Sequence, residues 1–178
     1  MSSDKHYHSR LSMALDDLLR CRFYSRKMLK LPIGESFTEE RTVYEALFVA
    51  LIVSYGRVFT SSNTTDNEFK SVVSNSFGEF RAQAIKGLDV ALQKLHERIM
   101  QKRHTAIAHS DASSRNYQHY NESPLGIGRN PYYPYEHDEV EKVLKLVEIM
   151  ISEIGSKQSD IAKVAFKNPL FQPLGSGT

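Results

Sequence analysis

Cysteine is all but missing: Cys21 is the only one in 178 residues. No disulfide can close within one chain, and no cysteine-based zinc centre can be assembled. A lone cysteine inside a helical pattern is expected to be a small buried hydrophobe. Tryptophan is absent altogether, which constrains little. Long apolar runs are absent too. The longest, Ala46 to Val53 in EALFVALIVSYG, falls far short of the roughly 20 residues that span a bilayer and reads as a buried helix segment. The N-terminal MSSDKHYHSR lacks the apolar stretch of a secretory signal, so a cytoplasmic protein with no membrane association is expected.

Charge of one sign is also in short supply. With 23 Lys and Arg against 21 Asp and Glu, the net charge is +2, so nucleic acid can be attracted only by a local patch. Several enzyme classes drop out for want of their motifs. No Glu-x-x-His pair occurs, which argues against a di-iron bundle. There is no His-Glu-x-x-His helix and no phosphate loop ending in Gly-Lys-Ser/Thr. The GIG at 126 to 128 lacks a third glycine and a preceding strand and reads as a turn. The HYH at 6 to 8 reads as solvated histidines at a terminus. No metal and no cofactor is expected.

What remains is a chain of ordinary globular composition, 40% hydrophobic and 25% charged, of a length suited to one domain. Four segments carry helical periodicity and none alternates like a strand, so the fold class is all-α: a four-helix, or up to five-helix, bundle. The first helix is expected from about Arg10 to Leu31, before the breakers of LPIG. The second starts at an N-cap, Thr38, with Glu39 and Glu40 in its first turn, and is apolar almost all round to Phe59, as a central helix would be. Residues 60 to 78 read as a loop holding a helical turn. The third helix runs from about Phe80 to Ile107, with Leu88, Leu92, Leu95 and Ile99 on one stripe. A long loop follows from 109 to 134, and the fourth helix stops at Gly155. The bundle therefore occupies residues 1 to 155, and 156 to 178 form a C-terminal tail, docked or flexible.

One segment concentrates reactive side chains. In KLHERIMQKRHTAIAHSD, residues 94 to 111, Lys94, Arg98, Lys102 and Arg103 face the single Glu97, and His96, His104 and His109 add charge when protonated. Cations near a helix C-terminus are favoured by the dipole by up to about 1 kcal/mol, so a purely structural role accounts for part of the pattern. It does not account for Arg103. That residue lies one turn beyond Ile99, at the edge of the apolar stripe, where a charged head needs a crevice, a partner or a ligand phosphate. His109 follows after five intervening residues, about 120° round a regular helix. The two converge only if the helix loosens between them, or if a second chain supplies its own pair.

The stretch RHTAIAHSD resembles the end of the third helix in HEPN domains, whose motif is an Arg, a polar residue, and a His after four to six intervening positions. VSYGRVF, residues 53 to 59, is also similar to members found in bacterial defence and toxin systems. The resemblance implies a symmetric homodimer of helical bundles in which both motifs meet in one cleft and cleave RNA without a metal. It implies that Arg103 binds the scissile phosphate, that His109 moves a proton at the ribose 2′-hydroxyl or the leaving 5′-oxygen, and that His104 orients one of them. Lys102, Arg98, Ser110 and Asp111 are the implied RNA contacts. An antitoxin or a nucleotidyltransferase is the implied protein partner. A non-catalytic module that binds RNA, a nucleotide or a partner is the alternative, and tyrosines at 117, 120, 132, 133 and 135 either stack bases or pack the loop onto the bundle.

Overall fold

The computed structural model describes residues 3–60, 65–104, 118–119, 126–127 and 133–166. Over these the chain is all-helical apart from one two-residue antiparallel ladder. The helices are α1 (Ser3–Met28), α2 (Glu39–Phe59), α3 (Asn67–Ser74), α4 (Ser76–Lys86), α5 (Val90–Lys102) and α6 (His137–Ala165). The strands β1 (Gln118–His119) and β2 (Gly126–Ile127) pair within the segment read as a structureless loop, with Gln118 opposite Ile127 and His119 opposite Gly126. The Gly126 position is therefore a strand residue.

α2, expected at the centre, is not the central helix: that place is taken by α1, which packs against α2, α3, α4 and α6, while α2 packs mainly against α1 and α5. In α2, Tyr44, Phe48, Leu51, Ile52, Tyr55 and Val58 are all fully buried. One face of α1 packs on α2 through Leu11, Ala14, Leu18, Cys21 and Met28, spaced by three, four or seven residues. Cys21 is a buried hydrophobe whose thiol donates to the Leu51 carbonyl at 3.6 Å, and burial pushes its pKa up. α6 adds Val140, Val143, Val147, Met150 and Ile154 at the same helical spacing. Contacts at Ser12 with Gln158, Arg26 with Glu148 and Leu31 with His137 run α1 and α6 antiparallel. By length and hydropathy, 1.4 on average, α2 is apolar enough to cross a membrane; here 44% of that apolar window is buried in the bundle, and Val43 is exposed.

Caps set the boundaries. Thr38 accepts from the Arg41 amide at 3.2 Å and opens α2, as its sequence announces. Asp66 accepts from Phe69 at 3.0 Å and turns the expected loop into α3, whose Val72 and Val73 are buried. The long third helix expected from Phe80 to Ile107 is two helices. It breaks at Gly87–Asp89, where the Asp89 carboxylate takes the Leu92 amide at 2.8 Å and starts α5 afresh. α6, by contrast, runs through Gly155, which keeps a helical backbone and has nothing near its Cα hydrogen. Buried Ile154 and the bond from Gln158 to Ser12 at 2.7 Å hold the following turns on α1, outweighing the roughly 1 kcal/mol helix cost of one glycine.

The HYH near the N-terminus is part of the body. His6 is 6% exposed, 3.5 Å from Asp66 and edge-on to Phe69, and Tyr7 donates to the Ser76 carbonyl at 3.3 Å. Sequence alone had left this end solvated because its partners lie some sixty residues away.

Two guanidinium groups close the C-terminus of α2. Arg10, only 2% exposed, donates to the carbonyls of Arg57 and Val58, each at 3.2 Å. Arg81 donates to Val58 at 3.0 Å and Thr60 at 3.4 Å. Both stack on Phe77, at 4.3 and 5.1 Å from its centroid. Orphan carbonyls at a helix end carry partial negative charge, which makes buried cations acceptable there. Burial, then the neighbouring Arg81, lowers the Arg10 pKa to about 10.

Candidate functional site

The site is built where α5 ends against α2. α5 is amphipathic, burying Leu92, Leu95 and Ile99. Its regular register gives way to a wider, π-type turn at Arg103 and His104. Such turns redirect side chains and are frequent at functional sites. The regular α-helix therefore ends at Lys102, and residues 105 to 109 lie outside the described ones.

Arg103 is half-buried, and its stem lies across Gly56 in α2. A Cβ placed on Gly56 would stand 2.1 Å from the arginine Cδ and 2.7 Å from Nε. Only a glycine leaves this channel open. The guanidinium Nη1 comes within 3.4 Å of His104 Nδ1, and among the described residues no carboxylate pairs with Arg103. His104 is exposed. His109, Ser110 and Asp111 lie outside the described residues.

Two other cations of the segment are committed elsewhere, while Lys94 borders a shallow hollow beside Leu95 and Arg98. Lys102 donates to the Tyr133 carbonyl at 2.8 Å and sits over the rings of Phe48 and Tyr135, at 5.0 and 5.5 Å. Burial lowers its pKa, opposed by Glu139. It ties the residues preceding α6 to the bundle. Arg98 donates to Glu139 at 2.8 Å across the α5–α6 seam. His96, counted in the sequence among groups that add charge, is held neutral: burial lowers its pKa to about 4, and its Nδ1 shares a hydrogen bond of 2.9 Å with the buried Tyr55 hydroxyl. Phe59 packs against its ring at 4.6 Å. The positive charge around the motif is thus sparser than the sequence implies, and among the described residues neither Arg103 nor Lys94 forms an ion pair.

Comparison with family models, characterised proteins and solved structures finds no match to this chain. The HEPN resemblance therefore rests on the residues themselves.

Of the loop tyrosines, Tyr135 packs inward, 8% exposed, with its ring 5.0 Å from Phe48 and its carbonyl accepting from Tyr44. Tyr133 is half open and takes Arg41 over its face at 4.7 Å. The residue that sequence reasoning missed is Gly56. Its signal was present: a glycine inside an apolar helix carries a helix penalty, and close approach of another group is a common reason to retain it. Among the described residues no group of three or more His, Cys, Asp or Glu is gathered as for a metal.

Proposed function

We propose that this protein is a metal-independent endoribonuclease of HEPN type, working in the cytoplasm as a symmetric homodimer. The observation that carries this reading is Arg103: a half-buried guanidinium docked over Gly56, where α5 loosens, with no carboxylate among the described residues to neutralise it. A half-buried guanidinium without an anion is free to take one, and a phosphate is the ligand its fork fits best.

In this reading Arg103 grips the scissile phosphate and stabilises charge developing on it. His109 accepts the 2′-hydroxyl proton or donates one to the 5′-oxygen, work suited to an imidazole with an ordinary pKa near 6.5. The exposed His104 positions the guanidinium, and Ser110 and Asp111 contact the RNA. The products are a 2′,3′-cyclic phosphate and a 5′-hydroxyl, and DNA resists for want of the attacking hydroxyl. A two-fold axis near the end of α5 sets Arg103 of one chain beside His109 of the other. Such an activity needs restraint, which an antitoxin or another partner would supply.

The purified full chain, incubated with single-stranded and structured RNA in excess EDTA, is expected to cleave. Arg103→Ala and His109→Ala are each expected to abolish cleavage. Variants that cleave like the parent defeat the assignment. A second reading, binding without cleavage, is favoured by the commitment of Arg98 to Glu139 and of Lys102 to Tyr133, which leaves little free charge to drive turnover. It predicts RNA retention that survives His109→Ala, with no product at any pH.

A further inference from the structure

The outer face of α1 carries a pattern that the bundle does not use. Met13, Asp16, Arg20 and Phe23 are all exposed, Met13 to 50% and Phe23 to 64%. They recur at steps of three, four and three residues, the spacing of a coiled-coil seam. On this helix the seam lies opposite the buried set Leu11, Ala14, Leu18 and Cys21. An outward helix face is predominantly polar. Here two large apolar side chains bracket an acid and a base, neither of which forms an ion pair with any described residue.

The pattern reads the same in both directions. Positions 13 and 23, and positions 16 and 20, are equidistant from residue 18. Two such helices laid antiparallel across a two-fold axis at that level bring Met13 of one copy to Phe23 of the other, and Asp16 to Arg20. These are the alternating layers of an antiparallel coiled coil, four of them within about 15 Å of helix. A parallel arrangement would oppose Asp16 to Asp16 and Arg20 to Arg20 and be repelled. Shallow hollows flank the seam on either side, and Asp16 and Arg20 border both. One, of about 420 Å³, is bordered by Met13, Asp17 and Arg57. The other, of about 410 Å³, is bordered by Leu19, Phe23 and Tyr24. They offer room for the opposing Phe23 and Met13.

We propose that this face is a self-association surface whose occupant is α1 of a second copy of the chain, antiparallel about residue 18. Charge complementarity selects that occupant, because an isologous contact requires a self-complementary patch and an unrelated partner requires none. The contact is small and therefore weak. It is also distinct from the axis that the ribonuclease reading needs: Arg57 faces α1 through its pair with Asp17, whereas its neighbour Gly56 faces Arg103. The two axes together would build a dimer of dimers.

Sedimentation equilibrium of the full chain from about 1 to 100 μM tests this. The parent is expected to show a concentration-dependent doubling of mass. Arg20→Asp and Asp16→Arg, both exposed changes, are each expected to weaken that step at least tenfold. Their combination, Asp16→Arg with Arg20→Asp, restores opposite charges across the axis and is expected to recover most of the loss. A parent that never associates by this step, single reversals that associate like the parent, or a double variant as weak as the singles would each overturn the seam. RNA cleavage in the same variants reports on the ribonuclease reading separately.

Discussion

Arg103 lies across Gly56 so closely that a single methyl group on the glycine would occupy the arginine's own path, 2.1 Å from Cδ. The obstructing group is a flexible stem rather than backbone, so the fold can accommodate a larger residue by swinging the arginine aside. Gly56→Ala is therefore expected to change stability by no more than about 1 kcal/mol, the helix preference of Ala offsetting some crowding. The guanidinium, however, leaves its position. RNA cleavage in EDTA is expected to fall at least tenfold while the thermal melt barely moves. A variant that cleaves at the parent rate shows that activity does not depend on where Arg103 is held.

Protonation of His96 is expected to weaken the fold. Its folded-state pKa, lowered to about 4 by burial, lies below the ordinary value of 6.5. Between these two values the unfolded chain binds a proton that the native chain refuses. The stability is thus fully present above about pH 6.5 and lost as pH falls towards 4, by up to about 3 kcal/mol. Urea titrations at pH 7.5 and pH 5 measure the loss. His96→Phe should flatten that slope, and an identical slope in the variant would assign it to other groups.

The guanidinium cap on α2 is expected to contribute substantially. Arg10→Met keeps bulk but leaves the Arg57 carbonyl without its donor and removes one face of the stack on Phe77. A loss of about 2 to 3 kcal/mol is expected, with Arg81 still serving Val58. Chemical denaturation checks this, and a change under about 0.5 kcal/mol would show that water satisfies those carbonyls equally well.

Three other positions respond in opposite directions for backbone reasons. Phe37 holds a positive φ of 68° with its ring wholly exposed, so Phe37→Gly is expected to raise stability by about 0.5 to 1 kcal/mol. Gly155 is helical with open space around it, so Gly155→Ala is expected to stabilise by up to about 1 kcal/mol. Gly34, at φ 72° and with a Cβ position only 2.8 Å from the Arg41 amide nitrogen, should lose stability when changed to Ala. Paired melting curves of the three variants decide the signs.

Local chemistry made much of this protein legible in its sequence. The helical class, the Thr38 cap and the burial of Cys21 follow from periodicity, capping and composition, which act within a few residues. The position of Arg103 at the edge of an apolar stripe was legible for the same reason. Other features depended on partners distant in the chain. The sequence could not show that α6 passes through Gly155, because the contacts that hold it belong to α1. It could not show that His96 is neutral or Lys102 engaged, because Tyr55, Phe48 and Tyr133 reach them only once the helices pack. Nor could it show that Gly56 exists to let an arginine through. Periodicity tells which face of a helix turns inward; what that face meets there is decided by packing between segments the sequence keeps far apart.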